Sequence, residues 1–316
     1  MSGVHKIAVL GAGNVGGTLA QRLAESDWAD EVVLVDIVEG LPQGKALDIQ
    51  ESAPILGFST RVSGSTSLDA LAGAEIVVET AGIARKPGMS RSDLLGTNAK
   101  ILRDHARAVR EKAPQAVVLV VTNPVDVMAH WFREQSGLPA ARVFGESGSL
   151  DTARFRTFVA LELGVAPRDV VGFVLGTHGD TMVPILSLTS VQGVPITRLV
   201  QPDRLAAIVE RTKKGGGEIV ELLKMGSAYY APSAAQAELV RAVARNEHRV
   251  LPVTASVEGP YGLSGLYLGV PARIGREGVE QVLEVELTRE EKSALEASAA
   301  AVRSDLTLLA SSKPAT

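Results

Sequence analysis

Six residues, Gly11-Ala12-Gly13-Asn14-Val15-Gly16, follow an apolar run and open a helical one. In such a segment the first glycine permits a tight turn and the second lets a diphosphate approach the backbone. The third lets helix and strand pack closely, and phosphate oxygens meet the free N–H groups of the helix N-terminus. Alone, the spacing is a weak signal, because a glycine-rich turn without a ligand can have the same sequence. Here, however, the next apolar run ends at Asp36, 36 − 16 = 20 residues past Gly16. A carboxylate at that distance accepts hydrogen bonds from ribose hydroxyls and repels a 2′-phosphate. Ile37 and Val38 follow it, with no Arg to pair a phosphate, so the pattern points to NAD rather than NADP.

The rest of the first half fits that unit. Residues 6–10, 31–35, 75–79 and 116–121 are short, apolar and β-branched, as strands covered on both faces of a parallel sheet must be. Residues 61–63 make a weaker candidate. Helical stretches at 15–25, 43–51, 93–112 and 125–134 alternate with them. This order predicts an α/β fold, a Rossmann-type doubly wound parallel sheet. The second half mixes a helix from about 150, strands at 170–175, 183–188, 250–257 and 266–270, and helices at 202–213, 234–245 and 288–309. The mixture predicts a second, α+β substrate and catalytic domain, dividing the chain into 1–147 and 148–316. Thr288-Arg289-Glu290-Glu291 has the form of a capping box. Gly215-Gly216-Gly217 predicts a kink or a close backbone contact.

Composition narrows the chemistry. Hydrophobic residues make up 46% and charged residues 22% of 316, which excludes bulk disorder. The balance of 32 − 36 = −4 provides no electrostatic footprint for nucleic acid or an anionic membrane. With no cysteine, disulfides, thiolate catalysis, zinc–thiolate sites and iron–sulfur clusters are excluded, and no metal site is expected. The longest apolar run, 116–121, is far short of the roughly 20 residues of a membrane helix. The chain enters its first strand directly after Met1-Ser2-Gly3, which predicts no secretory leader and a cytoplasmic protein.

Four further clusters have both a chemical and a plain reading. Arg85 and Arg91 flank Pro87-Gly88 in the segment after the 75–79 strand, where loops cover a ligand; a solvated basic loop reads equally well. Thr122-Asn123-Pro124 ends a strand and is also an ordinary turn. Asp151 and Arg154 share a helix face, which an internal salt bridge would explain. Thr177-His178-Gly179-Asp180 places a histidine among small residues after a strand, a candidate acid/base group. His5, His105, His130 and His248 have no comparable company in the sequence.

Taken together, in this order and spacing, these motifs resemble the lactate/malate dehydrogenase family, and within it the lactate dehydrogenase-like malate dehydrogenases. The resemblance spans residues 6 to about 309 and includes Gly44-Lys45-Ala46-Leu47-Asp48 and Gly226-Ser227-Ala228-Tyr229-Tyr230. It implies reversible hydride transfer between NAD and (S)-malate or oxaloacetate. It also implies that His178 is the proton donor and acceptor, that Asp151 orients it, and that Arg154 clamps the C1 carboxylate. Arg91 would polarise the ketone, and Asn123 would bond the same oxygen and the nicotinamide side. Arg85 would select the substrate, since Gln there suits pyruvate and Arg a dicarboxylate. Gly11, Gly13, Asn14, Val15, Gly16, Asp36, Asn98 and Asn123 would contact the cofactor. The partner is then a small dicarboxylate, and the protein a homo-oligomer, dimer or tetramer.

General chemistry agrees with those roles. Hydride addition to a ketone builds negative charge on oxygen, which calls for a proton from a group titrating near neutrality. A planar guanidinium holds a carboxylate through two parallel hydrogen bonds, as lysine cannot. Two departures from the family pattern stand out: Thr177 where Gly or Glu is common, and Glu146-Ser147-Gly148-Ser149 where small or apolar residues are more frequent. Lactate dehydrogenase or another 2-hydroxyacid dehydrogenase is the nearest alternative reading. The NAD-dependent glycosidases of this fold use a metal with Cys and His ligands, and the cysteine-free sequence argues against them. A catalytically silent NAD-binding scaffold or sensor would be expected to have lost the His/Asp pair or an arginine, and neither is lost.

Overall fold

The computed structural model describes residues 3–83 and 90–311. In its first half β1 (Val4–Leu10) leads to α1 (Asn14–Glu25), and β2 (Ala29–Val35) to α2 (Leu41–Glu51). A short α3 (Ala53–Leu56) and β3 (Arg61–Ser65) follow. Then come β4 (Ile76–Glu79), α4 (Arg91–Lys112), β5 (Val117–Val120), α5 (Val125–Ser136) and β6 (Val143–Gly145). All six strands are parallel, in the order β3-β2-β1-β4-β5-β6. The order reverses between β1 and β4, so the loops leaving their carboxyl ends flank the crevice where ligands bind in open α/β sheets.

Consecutive apolar residues make this sheet possible. Ile7, Ala8, Val9 and Leu10 are all fully buried, as are the alternating faces of β5, because helices cover both sides. Each such Val or Leu contributes about 1.5–3 kcal/mol on burial. The weakly apolar β3 forms nevertheless, pairing with β2 from Glu31↔Arg61 to Val35↔Ser65. It is an edge strand with only Val62 buried, where polar side chains are tolerated.

The second half begins with α6 (Gly148–Leu163). Five two-residue strands follow: β7 (Val170–Val171), β8 (Val174–Leu175), β9 (Val183–Pro184), β10 (Ser190–Val191) and β11 (Val194–Pro195). Next come α7 (Ile196–Leu199), α8 (Pro202–Leu223) and α9 (Tyr230–Ala244). The last elements are β12 (Arg249–Glu258), β13 (Ser264–Gly275), β14 (Gly278–Val282) and α10 (Arg289–Ser311). Phe155, Val159, Val174, Ile196, Leu205 and Ile208 belong to a smaller core of this half.

Several sequence expectations change here. The 250–257 and 266–270 strands form as β12 and β13, and β14 joins them where the sequence suggested no strand. They extend the parallel sheet in antiparallel fashion beyond β6, through Thr254↔Gly145. The expected 170–175 strand is broken at Gly172-Phe173, and 183–188 shrinks to Val183–Pro184 followed by a 3₁₀ turn at Leu186–Leu188. The three glycines 215–217 lie inside one continuous α8 rather than at a break. The expected close contact is real, since a Cβ on Gly215 would meet Cδ of Arg154 at 3.2 Å. The Thr288 cap also forms: Thr288 Oγ1 accepts the Glu291 N–H at 3.2 Å and Glu291 Oε2 accepts the Thr288 N–H at 2.9 Å. Among the described residues no helix is long and apolar enough to cross a membrane.

Candidate active site

The glycine loop has the shape that a dinucleotide requires. Gly11 has φ +94°, and a Cβ on Gly16 would stand 1.9 Å from the Gly11 carbonyl oxygen, so both positions exclude side chains. A Cβ on Gly13 would meet nothing within 4 Å, leaving open space in front of the loop. Thr80, after β4, donates its hydroxyl to the Leu10 carbonyl at 2.8 Å, and Lys45 Nζ donates to the Gly13 carbonyl at 3.0 Å. Asp36, directly after β2, steadies the same loop. Its Oδ2 accepts the Ala12 N–H at 2.7 Å, and its Oδ1 the Val38 N–H at 3.0 Å. The carboxylate therefore stands at the loop's edge with its orientation fixed. The open cradle, the helix N-terminus at Asn14 and Val15, and this acid together suit NAD.

In the second half, α6 carries Asp151 and Arg154, and the turn after β8 carries His178. That turn is pinned to the sheet: Gly176 and Gly269 exchange backbone hydrogen bonds at 2.9 and 3.1 Å. The Thr177 N–H donates to Ser298 Oγ at 2.8 Å. Asp151 is 1% exposed and bridges two cations: Oδ2 lies 2.8 Å from His178 Nδ1, and Oδ1 accepts from Arg154 Nη1 at 3.2 Å. The salt-bridge reading and the acid/base reading of these residues are thus one arrangement. The Asp151 charge outweighs the opposing effect of burial and raises the His178 pKa to about 9. Nδ1 is occupied by the carboxylate, which leaves Nε2 for the cleft. Among the described residues, Arg154 Nε is buried without a hydrogen-bond partner, beside Gly215.

Two more buried carboxylates surround the histidine, and the motifs did not identify their roles. Asp126, in the first turn of α5, accepts the His178 N–H at 3.1 Å and the Thr254 hydroxyl at 2.8 Å. Thr254 in turn accepts from Ser147 at 2.7 Å. Burial pushes Asp126 up to about 6 despite those bonds. Glu146, following β6, is pushed by burial up to about 7. Asp126 follows the Asn-Pro turn by two residues, a local signal for a helix-capping acid. Thr254 lies 128 residues away in sequence and carries no local signal at all.

A cleft of about 460 Å³ opens onto His178, lined also by Arg91, Asn123, Asp126, Thr177, Val302 and Asp305. Arg91, the first residue of α4, is ion-paired with Asp305 of α10. Asn123 is exposed at the rim. Asn98 is fully buried behind it: its amide donates to the Asn123 carbonyl at 2.8 Å, and its oxygen accepts the Ile83 N–H at 2.9 Å. Arg85 lies outside the described residues. Contrary to the sequence expectation, His105 also has a carboxylate partner, since Glu79 Oε2 is 2.7 Å from Nδ1. Burial opposes its charge, yet Glu79 raises its pKa. His105 does not line the cleft.

Comparison with known proteins gives the same outline. Residues 5–145 match the family profile described as lactate/malate dehydrogenase, NAD binding domain, and residues 148–312 match the lactate/malate dehydrogenase, alpha/beta C-terminal domain. The malate dehydrogenase of Thermomicrobium roseum is 56% identical over 299 residues, covering 95% of this chain and 96% of that protein. That of Chloroherpeton thalassium is 53% identical, covering 94% and 96%. Among solved structures, malate dehydrogenase from Salinibacter ruber superimposes with a TM-score of 0.93 at 46% identity, covering 97% and 98%. Lactate dehydrogenase from Cryptosporidium parvum, solved with lactic acid and NAD, gives 0.95 at 41%, covering 99% and 100%.

Proposed function

Because the chain belongs to the lactate/malate dehydrogenase family, we propose that it transfers hydride reversibly between NAD and (S)-malate or oxaloacetate. The observation that carries this reading is the His178–Asp151–Arg154 cluster: Asp151 holds both cations, one imidazole nitrogen is left for the cleft, and among the described residues Arg154 Nε has no hydrogen-bond partner. The relatives that are 53–56% identical support malate as the substrate.

Bound NADH supplies the hydride for the ketone carbon. His178, kept protonated through neutral pH by Asp151, donates from Nε2 to the oxygen on which charge builds. In the reverse direction the neutral imidazole takes the proton of the malate hydroxyl. Arg154 receives the C1 carboxylate on the face that Asp151 leaves free; an unpaired buried donor costs about 1–3 kcal/mol, and an arriving carboxylate removes that cost. Arg91 polarises the ketone, Asn123 bonds the same oxygen and the nicotinamide side, and Arg85 pairs with the second carboxylate. Gly11, Gly13, Asn14, Val15, Gly16 and Asp36 hold the cofactor. Asn98 serves it by fixing the Asn123 loop. In this reading residues 1–147 bind NAD and 148–316 supply substrate contacts and the acid.

The protein would work in the cytoplasm as a homo-oligomer. Exposed apolar side chains such as Ile55, Leu222 and Met225, 76–87% exposed, support a covered face. Light scattering across a dilution series tests that point. For function, NADH oxidation is measured with oxaloacetate, with pyruvate and with neither, then repeated with NADPH. We expect oxaloacetate and NADH to win clearly. A preference for pyruvate would establish the lactate reading instead, and no oxidation in any of the three would leave an NAD-binding scaffold or sensor.

A further inference from the structure

Three buried carboxylates stand around His178, and they are held very differently. Asp126, from α5, accepts a hydroxyl and a backbone N–H. Asp151, from α6, accepts from His178 and Arg154. Glu146 is 4% exposed and, among the described residues, accepts only the Leu150 N–H, at 3.2 Å, with no salt-bridge partner. Its backbone N–H is bonded to the Val120 carbonyl at 2.9 Å, which fixes it between β5 and the start of α6. The adjacent Ser147 spends its hydroxyl on Thr254, so Glu146 is what caps the helix carrying Asp151 and Arg154.

We propose that Glu146 is a positioning residue for substrate entry: ionised at pH 8 in the free protein, it caps the helix that carries Asp151 and Arg154, and it takes up a proton when a dicarboxylate substrate sets its C1 carboxylate on Arg154. This rests on the dicarboxylate reading of the function. The physical reason is a conflict among anions. His178 and Arg154 favour the ionised form of Glu146, whereas burial and Asp151 oppose it, leaving a free-state value of about 7. A substrate carboxylate on Arg154 adds a like charge and weakens one of the cations that sustain the anion. The bound state therefore holds the proton more tightly than the free state. By linkage, substrate affinity falls about tenfold per pH unit above the free-state value until the bound-state value is reached.

The test uses NADH-loaded protein titrated calorimetrically at pH 8 with hydroxymalonate, a dicarboxylate, and with oxamate, a monocarboxylate, in phosphate and in Tris buffers. We expect the wild type to take up close to one proton with hydroxymalonate and Glu146→Gln close to none. In kinetics, the rise of the oxaloacetate KM between pH 7 and 8 should disappear in Glu146→Gln, with a smaller change in the pH dependence of kcat. Equal proton uptake in both proteins, or a flat wild-type KM from pH 6.5 to 8.5, would overturn the proposal. Should Glu146→Gln fail to fold, Glu146→Met carries the same expectation, and absence of uptake in the wild type alone would already refute it. Failure of the substrate reading looks different: hydroxymalonate would not bind while oxamate would. Proton uptake with oxamate that Glu146→Gln abolishes would then still support the role of Glu146.

Discussion

His178 Nδ1 and Asp151 Oδ2 lie 2.8 Å apart, with Asp151 almost wholly buried, so the orientation of the ring is set from behind the cleft. In the proposed mechanism the two act in one proton transfer. His178→Asn should lower kcat by roughly two to four powers of ten, as loss of general acid–base catalysis implies, while NADH affinity stays near normal. Asp151→Asn added to it should cost far less than the sum of the two single losses. Stopped-flow rates and NADH fluorescence titrations of the three variants measure this, and an active His178→Asn protein would sink the assignment.

The raised pKa of His178 gives the reaction a signed pH dependence. Its folded value, about 9, lies above the ordinary value of 6.5, because of the Asp151 charge. The imidazolium therefore stabilises the fold fully below about 6.5, and that contribution is lost as pH rises through about 9. The kcat for oxaloacetate reduction should hold to about pH 8 and fall above about 9, while malate oxidation rises over the same range. Asp151→Asn should move both limbs down toward the ordinary histidine range. Histidine NMR titration of the free protein checks the same shift without turnover.

Arg91 is engaged by Asp305 before any substrate is present. Asp305 is 8% exposed, but the Arg91 side chain is 60% exposed, so solvent screens the pair and its worth is about 0.5–1 kcal/mol. Asp305→Asn should free Arg91 to meet the ketone and lower the oxaloacetate KM by about two- to fivefold, the same energy expressed as a ratio. A raised KM in this variant would mean that Asp305 aligns Arg91 rather than withholding it.

Gly215 packs against the Arg154 side chain. A Cβ there would stand 3.2 Å from Arg154 Cδ, tight but against a movable group, so Gly215→Ala should have a mild effect. The branched side chain of Gly215→Val cannot fit without displacing the guanidinium. We expect the KM for oxaloacetate to rise at least tenfold in Gly215→Val and NADH binding to stay unchanged, measured by initial rates and fluorescence.

What was legible in the sequence followed from locality. The glycine loop and Asp36 declare themselves within the first 36 residues, and β1, β2, β4 and β5 each through its own apolar run, because turn chemistry and continuous apolar runs are local. The three-residue β6 escaped notice because it is too short for a periodic pattern, although it joins the two halves of the sheet. Gly215 misled in part: glycine weakens helices in isolation, yet here the missing side chain is what admits Arg154. The motifs singled out His178 and Asp151 separately, and only the family resemblance implied that they pair, as the fold places them. The polar support from Thr254, Ser298 and Asp305 came from β12 and α10, and only the folded chain brings these to the cleft.

The claim that a dicarboxylate is the substrate is tested most directly at Arg85, by kcat/KM for oxaloacetate and pyruvate in the wild type and in Arg85→Gln. A second carboxylate entering a desolvated pocket costs several kcal/mol unless a cation meets it. We expect the wild type to prefer oxaloacetate strongly, and Arg85→Gln to lose about 3–5 kcal/mol for oxaloacetate while pyruvate holds level or improves. A ratio that shifts by less than about tenfold, or 1.4 kcal/mol, would mean that Arg85 is a solvated loop charge. A wild-type preference for pyruvate would contradict the dicarboxylate assignment outright.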